Sequence, residues 1–318
     1  MVPGLDLPAL ERYLDAPLEA ELIAGGKSNL TYRLVSGART WVLRRPPLGN
    51  RLPTAHDMTR EYTVLRALAD TAVPVPRVVS LCEDEAVIGA PFYVMEEVRG
   101  RIVRTPADVF GDPRVYSAAL VDVLKTLHEV DYDAVGLGSF GRPAGFMERQ
   151  VRRWHEQLAR GRARELPELD ELGRRLASRV PEDGRFAIVH GDYRIDNVVL
   201  DDDGAVRAVL DWEMATLGDP LADVGMLLMY WRRPGDAMAS EVHAITAAPG
   251  FFEREEVAER YGVRVRDVSF YVAFAHFKLA VIVEGIHTRA LAGNTVGEGF
   301  EEIAAIGPAL ARAGLEAL

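Results

Sequence analysis

The chain has 318 residues, of which 48% are hydrophobic and 27% charged, and its formal net charge is −11. This length suits two lobes around a cleft better than one undivided core, and the apolar fraction is ordinary for a soluble globular protein. The acidic charge argues against a nucleic acid partner. A single cysteine, Cys82, excludes an intrachain disulfide and fits a reducing compartment such as the cytoplasm.

Neither the first residues of the chain nor its most apolar stretch indicates a membrane protein. Residues 1–6 lack the basic start and the apolar run of a secretory signal. The stretch from Phe270 to Ile286 is interrupted by His276, Lys278 and Glu284, so we expect a buried helix there rather than a membrane span. We therefore expect a cytoplasmic protein without membrane insertion, and nothing in the sequence decides its oligomeric state.

The first predicted element is a strand, a tight turn and a second strand over residues 22–34, LIAGGKSNLTYRL. A glycine-containing turn can lay backbone N–H groups over a triphosphate. Gly25, Gly26, Ser28 and Asn29 are therefore candidate phosphate contacts. The alternative is an ordinary hairpin, in which Gly-Gly turns are common.

A further strand and a helix follow in the first third of the chain. In the strand Trp41-Val42-Leu43-Arg44, the alternation of side chains predicts that Arg44 and Arg45 point to opposite faces. Residues 56–68 have apolar side chains at helical spacing and include Glu61, so they are predicted to form a helix.

The most informative segment is HGDYRIDN, residues 190–197. Asp192 precedes Asn197 by five residues, the spacing of the protein kinase catalytic loop, where the Asp accepts the proton of the attacking hydroxyl and the Asn holds a metal. A second acid, Asp211, ends the next apolar run, 206–210. Because Mg²⁺ prefers hard oxygen ligands and keeps several waters, Asn197, Asp211 and the phosphates of ATP would suffice for a magnesium site.

The other polar residues in and after this segment have different expected roles. His190 is expected to brace the loop from a buried position, and Asp196 to be solvated or to brace the loop. Residues 201–204, DDDG, are expected to form a hairpin turn. Arg194 stands two residues after Asp192, where a cation could stabilise charge on the transferring phosphate.

These motifs resemble those of the aminoglycoside phosphotransferase and choline kinase-like family. That family's loop reads H-G-D-x-x-x-x-N, and its metal aspartate lies in D-[WFIL]-[ED], which matches Asp211-Trp212-Glu213. The longer run of residues 190–225 resembles more narrowly the branch fused to acyl-CoA dehydrogenases. The resemblance covers about residues 20–230 and implies an α+β, protein-kinase-like fold: a small N-terminal antiparallel β-sheet lobe and a larger, mainly helical C-terminal lobe.

The resemblance also implies a division of the chain and roles in binding ATP. Residues 1–98 would be the ATP-binding lobe, ending in the hinge, and residues 99–318 the catalytic and acceptor-binding lobe. Arg44 would contact the α- and β-phosphates where kinases carry a Lys, with Glu61 as its ion-pair partner.

The segment of residues 92–100, FYVMEEVRG, looks like the strand and hinge between the lobes. By the resemblance, Met95 is the gatekeeper beside adenine. The carbonyl of Glu96 would accept from the adenine amino group, and the amide of Val98 would donate to the ring.

The acceptor is the small-molecule hydroxyl compound that would receive the phosphoryl group. The basic stretch of residues 146–164 is one candidate wall of its site. If Arg149, Arg152 and Arg153 face the cleft, they favour an anionic acceptor such as a hydroxy acid or a hydroxyacyl-CoA. The alternative is a solvated helix face with Trp154 packed inward.

Residues after the metal aspartate have further expected roles. Asp219-Pro220 suits a helix start, and Asp223 is expected to accept N–H bonds from the catalytic loop. Glu284, His287 or Arg289 would lie near the acceptor, unless the segment is a core helix with polar residues on its exposed side.

We therefore predict an ATP- and Mg²⁺-dependent small-molecule kinase in which Asp192 and Arg194 are catalytic. One alternative is a nucleotide-binding pseudokinase, because Arg44 replaces the usual Lys. Another is a metal-dependent phosphohydrolase with His190, Asp192 and Asp211 as ligands. The second is disfavoured because further ligands are not evident near these motifs.

Overall fold

A computed structural model describes residues 2–24, 29–48, 57–233, 236, 244–291 and 300–318. The N-terminal part is a five-stranded antiparallel sheet, and the C-terminal part is mainly helical, which confirms the predicted α+β architecture. The boundary between residues 98 and 99 stays a prediction. The strands are β1 (Glu19–Ala24), β2 (Leu30–Ser36), β3 (Arg39–Arg45), β4 (Val78–Cys82) and β5 (Phe92–Glu96), in the spatial order β1-β2-β3-β5-β4.

The two faces of this sheet bury different partners, because side chains alternate along a strand. Tyr32 and Leu43 pack under α1 (Leu7–Leu14) in one apolar cluster. Arg45 lies on the same face and donates to the carbonyl of Ile88 at 3.0 Å. Arg44 faces the other way, so the predicted separation of the two arginines is confirmed.

The predicted helix after β3 is α2 (Met58–Leu68), and residue 56 lies outside the described residues. The carboxylate of Asp57 accepts the N–H of Arg60 at 3.1 Å and caps its first turn. Glu61, Val64, Leu65 and Leu68 are buried at helical spacing. Glu61 therefore faces the sheet and not solvent.

The C-terminal part combines helices with two small antiparallel sheets that carry the catalytic loop between them. Residues 201–204 form the expected turn, in which the carboxylate of Asp201 accepts the N–H of Ala205 at 2.9 Å. The two sheets are β6 (Ala187–Val189) with β9 (Thr216–Gly218), and β7 (Val198–Leu200) with β8 (Val206–Val209). The helices are α3 (Pro113–Glu129), α4 (Phe146–Gly161), α5 (Pro167–Ala177), α6 (Leu221–Tyr230), α7 (Arg254–Tyr261), α8 (Ser269–Leu291) and α9 (Phe300–Ala317).

The helix α8 is the central element of this part. Together with the turn before it, at Val265–Leu291, it is long and apolar enough to cross a membrane. However, 61% of its most apolar window is buried inside the protein, where α6 and α9 pack against it. Its apolar composition is therefore that of a core helix.

Candidate active site

The catalytic loop between β6 and β7 is held in place by Asp223 of α6. The buried Asp223 carboxylate accepts the N–H groups of His190 and Gly191 at 2.7 and 2.8 Å, as predicted, and contacts Nε2 of His128 at 3.2 Å. Burial disfavours its charged form, but His128 and the backbone donors hold the pKa of Asp223 below its usual value. The loop is thus anchored on a buried anion.

The two residues that precede Asp192, His190 and Gly191, lie against the segment that carries Asp211. His190 is fully buried, and its Nε2 lies 2.9 Å from the carbonyl of Leu210, so its expected bracing role is confirmed. Gly191 has φ +84°, and a Cβ there would come within 2.8 Å of the carbonyl oxygen of Met214. Only glycine fits this approach without strain.

Asp192 and Asn197 are in direct contact. Nδ2 of Asn197 donates to the backbone carbonyl of Asp192 at 2.9 Å and to its Oδ2 at 3.1 Å. Because the amide nitrogen is engaged in this way, Oδ1 of Asn197 is the atom that can ligate a cation. The pair therefore offers a carboxylate that can accept a proton and an amide oxygen that can ligate a metal.

Arg194 lies between two carboxylates of the same loop. Its Nε is 3.3 Å from Oδ2 of Asp192, its Nη1 is 3.0 Å from Oδ2 of Asp196, and the guanidinium covers the ring of Tyr230 at 4.9 Å. Burial alone would lower the pKa of Arg194, but the two carboxylates raise it. Asp196 therefore braces Arg194, and the cation lies beside Asp192.

Arg44 of β3 bridges two carboxylates. Its Nη1 is 2.9 Å from Oε2 of Glu61, so the predicted ion pair is present, and its Nη2 is 2.9 Å from Oδ1 of Asp211. Burial would lower the pKa of Arg44, but Glu61 and Asp211 raise it well above its usual value. Arg44 is therefore a fixed cation that joins the sheet to the metal aspartate.

Glu61 has two further donors. The hydroxyl of Tyr93 and Nδ2 of Asn29 each donate to it at 2.8 Å. Asn29 also donates to Glu213 at 3.2 Å. The structure thus places the Asn29 side chain on two carboxylates, and its contact with a phosphate stays a prediction.

Three of the predicted phosphate contacts, Gly25, Gly26 and Ser28, lie outside the described residues. Their proposed phosphate contacts stay predictions.

Asp211 has an unusual backbone. It adopts φ 65° and ψ 62°, the left-handed region that is rare for residues other than glycine. The following Trp212 is buried, and its Nε1 donates to the carbonyl of Val209 at 2.9 Å, which holds the turn. Arg44 contacts Oδ1 of Asp211, and Oδ2 accepts no hydrogen bond from the described residues. That oxygen suits a hard cation such as Mg²⁺.

A cleft of about 450 Å³ brings most of the predicted nucleotide-binding residues together. Arg44 lines it from the sheet, Asn197 and Asp211 from the larger part, and the hinge segment Met95–Val98 lies along its edge. A volume of this size suits a cofactor-sized ligand. The sequence motifs therefore converge on one cleft, as a nucleotide site requires.

The basic side chains of α4 do not form a common wall. Arg149 donates to the backbone carbonyls of Arg142 and Ala144, and Arg152 is exposed beside Glu148. Arg149 therefore contacts the turn before the helix, and Arg152 lies on the exposed face of the helix. This corrects the hypothesis that Arg149, Arg152 and Arg153 all face the cleft. Arg153 differs, because its charge lowers the pKa of Lys278, which contacts the catalytic loop.

Lys278 of α8 is a site residue that the motifs did not identify. It is buried, and its Nζ donates to the carbonyl of Gly191 at 2.7 Å and lies 5.7 Å from the centre of the Trp154 ring. Burial lowers its pKa, with Arg153 adding to the effect and Asp192 opposing it. A lysine within an apolar helical run was the available signal in the sequence.

The expected acceptor contacts of Glu284, His287 and Arg289 further along α8 stay predictions. Glu284 is buried, but its carboxylate pairs with Arg164 at 3.1 Å and accepts the N–H of Ala163. It ties α8 to the loop after α4 and is therefore structural. His287 is half-buried and Arg289 is exposed, and neither lines the nucleotide cleft.

No three His, Cys, Asp or Glu side chains come together as a metal cluster in the described part of the chain. The two residues predicted to hold the metal, Asn197 and Asp211, supply one amide oxygen and one carboxylate. Such a pair suits a metal that is shared with phosphates.

Comparison with known proteins identifies relatives of the chain. It is 34% identical over 323 residues to acyl-CoA dehydrogenase family member 11 from Gallus gallus, a match that covers 98% of this chain and 42% of that protein. The chain thus spans less than half the length of this relative. A solved structure of a candidate aminoglycoside phosphotransferase from Ralstonia eutropha is 34% identical, with a TM-score of 0.82 and 98% of both chains covered.

A more distant structure shares the fold alone. It is aminoglycoside phosphotransferase APH(4)-Ia in a ternary complex with ADP and hygromycin B, at 16% identity, a TM-score of 0.66 and 98% coverage of both chains. Residues 19–260 match the family model named APH, the phosphotransferase enzyme family. The resemblance and the kinase-like fold are thereby confirmed, and the chain belongs to the phosphotransferase enzyme family.

Proposed function

We propose that the protein transfers the γ-phosphoryl group of ATP, with Mg²⁺, to a hydroxyl of a small molecule. One observation carries this proposal: Arg44 of the sheet and Asn197 and Asp211 of the helical part line the same cleft, and Asp192 is in contact with Asn197. Phosphoryl transfer depends mainly on positioning and charge stabilisation, and these residues supply both.

Each residue has a distinct task in this proposal. Asp192 orients the acceptor hydroxyl and takes its proton. Asn197 and Asp211 hold Mg²⁺, which neutralises charge on the phosphates when it is bound. Arg44, braced by Glu61, and Arg194 add two fixed cations.

The nucleotide assignment has independent support. APH(4)-Ia, which shares the fold, was crystallised with ADP and hygromycin B. We extend the nucleotide to this chain, because the cleft residues match the motifs, and do not extend hygromycin B. Aminoglycosides are polycations and need carboxylates around them.

An anionic acceptor, such as a hydroxy acid or a hydroxyacyl-CoA, fits the charges near the loop better. Lys278 contacts the backbone beside Asp192, and Arg153 lies close to Lys278. Asp192 faces Arg194 as well. The cations Arg194 and Lys278 lie beside Asp192 and favour the approach of a negatively charged acceptor.

The test is ATP consumption with Mg²⁺ against aminoglycosides, choline-like amines, sugars, hydroxy acids and hydroxyacyl-CoA esters. Turnover that depends on a hydroxy acid or its CoA ester, and that Asp192→Asn abolishes, would support the whole proposal. Efficient turnover of an aminoglycoside would contradict the anionic acceptor and keep the kinase.

The pseudokinase remains the second candidate, because an arginine replaces the usual lysine. It predicts that the protein binds Mg²⁺ and nucleotide without transfer to any compound. Restoration of turnover by Arg44→Lys in such a protein would identify Arg44 as the cause.

A further inference from the structure

A second, larger cavity of about 870 Å³ lies on the side of α8 that faces away from the catalytic loop. Ser269, Val272 and His276 of α8 line it. Lys278, which contacts the catalytic loop, is two residues beyond His276 and therefore about 200° away around the helix. None of the residues that line this rear cavity lines the nucleotide cleft.

The rear cavity collects positive charge in an acidic chain. Its arginines are Arg232, Arg233, Arg254, Arg266 and Arg312. Four of them have a carboxylate within ion-pair distance: Arg254 contacts Asp236 at 2.5 Å, Arg312 contacts Glu168 at 3.7 Å, Arg233 contacts Glu255 at 3.8 Å and Arg266 contacts Asp267 at 3.9 Å.

Arg232 is the exception among these arginines. Only 5% of its surface is exposed, and in the described ranges it has no carboxylate partner. Its Nε has no hydrogen-bond partner, and its Nη2 contacts only the weak acceptor Sδ of Met229, at 3.7 Å. A guanidinium carries five donors, and burying it without acceptors is costly.

The surroundings of Arg232 increase this cost. Burial lowers the pKa of Arg232 to about 10, and the nearby charge of Arg254 adds to the effect. The closest acid that offsets it, Asp236, is already paired with Arg254. An anion that entered the cavity would therefore remove an electrostatic penalty as well as form new hydrogen bonds.

His276 adds a second polar group to the same wall. Its Nδ1 lies 2.9 Å from the carbonyl of Val272, so Nε2 remains to face a ligand. Burial lowers the pKa of His276 to about 4, with Arg232 and Arg254 contributing. Because Nδ1 carries the proton that is donated to the Val272 carbonyl, Nε2 of the neutral ring is an acceptor, so His276 can pair with a hydroxyl of a ligand and carries no charge.

The rest of the lining includes two acidic residues, Asp236 and Glu316, and an apolar portion. The apolar portion comes from three helices and the turn before α8, as Leu228, Val265, Val272, Ala309 and Ala313. A cavity with apolar walls and a few converging polar groups is the usual form of a site for an organic ligand.

We propose that the rear cavity binds an organic anion whose phosphate or carboxylate group pairs with Arg232 and whose apolar portion packs between α6, α8 and α9. The ligand is distinct from the nucleotide, because the helix α8 separates this cavity from the catalytic loop. The cavity is large enough for a ligand of cofactor size.

Calorimetric titration of the whole protein with octyl phosphate, octanoate and uncharged octanol tests this proposal. We expect at least one of the two anions to bind and octanol not to bind, and comparison of the anions identifies the preferred head group. Affinity should not change when Mg²⁺ and ADP are present. No binding of either anion up to about 10 mM, equal binding of octanol, or displacement by ADP would overturn the proposal.

Variants connect the binding to Arg232. Arg232→Met should weaken anion binding by about 10- to 100-fold, as expected for a lost charged hydrogen bond, and Arg232→Lys should retain part of it. Arg260→Met, which removes an exposed arginine paired with Asp122 on another face, is the matched control and should bind as the wild type does. Unchanged binding by Arg232→Met, with its thermal midpoint at or above that of the wild type, would refute the assignment.

Discussion

The two buried arginines Arg44 and Arg232 are similar in exposure, at 9% and 5%, and opposite in pairing. Both have an Nε without a hydrogen-bond partner among the described atoms. The Nη atoms of Arg44 contact two carboxylates at 2.9 Å, whereas Arg232 reaches only a thioether sulfur. The pKa of Arg44 is accordingly raised and that of Arg232 lowered to about 10.

This difference indicates what each part of the molecule does without a ligand. The Arg44 cluster is electrostatically complete, because Glu61 and Asp211 neutralise the cation and connect the two lobes. The surroundings of Arg232 are incomplete, since no described carboxylate lies within ion-pair distance of this buried cation. The nucleotide cleft thus has its charges already in position, and the rear cavity still requires a negative ligand.

The largest expected effect is a loss of turnover after substitution of Asp192 in the catalytic loop. Asp192→Asn should reduce turnover by about 10²- to 10⁴-fold, as is typical of lost general-base catalysis, while nucleotide binding and octyl phosphate binding persist. Steady-state kinetics and calorimetry measure these quantities. Asp203→Asn, at the exposed hairpin turn, is the control. An unchanged rate in Asp192→Asn would refute the role of Asp192.

The most direct test of the comparison replaces each arginine by methionine. Arg44→Met should lower the free energy of unfolding by about 3–5 kcal/mol, because it leaves Glu61 buried without its counter-charge. Arg232→Met should raise it by about 1–3 kcal/mol, because it removes a buried cation without a partner. Urea unfolding monitored by fluorescence gives both values. Changes of the same sign would show that the two environments do not differ as described.

Substitution of Asp211, the proposed metal ligand, should have a smaller effect on ligand binding. Asp211→Ala should weaken binding of Mg²⁺ and a non-hydrolysable ATP analogue by about 10- to 100-fold and reduce the dependence of nucleotide binding on Mg²⁺. Titrations with and without Mg²⁺ measure both. The conservative variant Asp211→Asn separates loss of charge from loss of shape. Equal Mg²⁺ dependence in wild type and Asp211→Ala would place the metal elsewhere.

The smallest effect is a pH dependence at the rear cavity. The folded pKa of His276, about 4, lies below its unfolded value of 6.5. Its neutral form therefore contributes stability fully above pH 6.5, and this is lost as pH falls towards 4, with a slope of at most about 1.4 kcal/mol per pH unit. Arg232, Arg254 and Asp236 are the charged groups near it.

Unfolding of wild type and His276→Gln at several pH values measures this slope. The variant should lose less stability than the wild type between pH 6.5 and 4. Bound octyl phosphate should raise the pKa of His276 and flatten the wild-type slope. Parallel curves for the two proteins would contradict the assignment.

The sequence by itself determined the parts of this protein that depend on local spacing. The five-residue offset from Asp192 to Asn197, the hairpin turn before β8 and the opposite faces of Arg44 and Arg45 follow from backbone geometry over a few residues. The resemblance to the family implied the small sheet, the helical part and Glu61 of α2 as the partner of Arg44. The locally determined features require no knowledge of how distant helices pack.

Only the tertiary structure decided which distant groups meet. Arg44 and Asp211 are 167 residues apart, Lys278 reaches Gly191 from a helix without any motif, and Glu284 turns to Arg164 and not to the cleft. The environment of Arg232 is likewise invisible in the chain, because it depends on which described carboxylates reach the guanidinium after α6, α7, α8 and α9 have packed. Local patterns constrain backbone geometry and side-chain direction, whereas burial and charge pairing are properties of the packed helices.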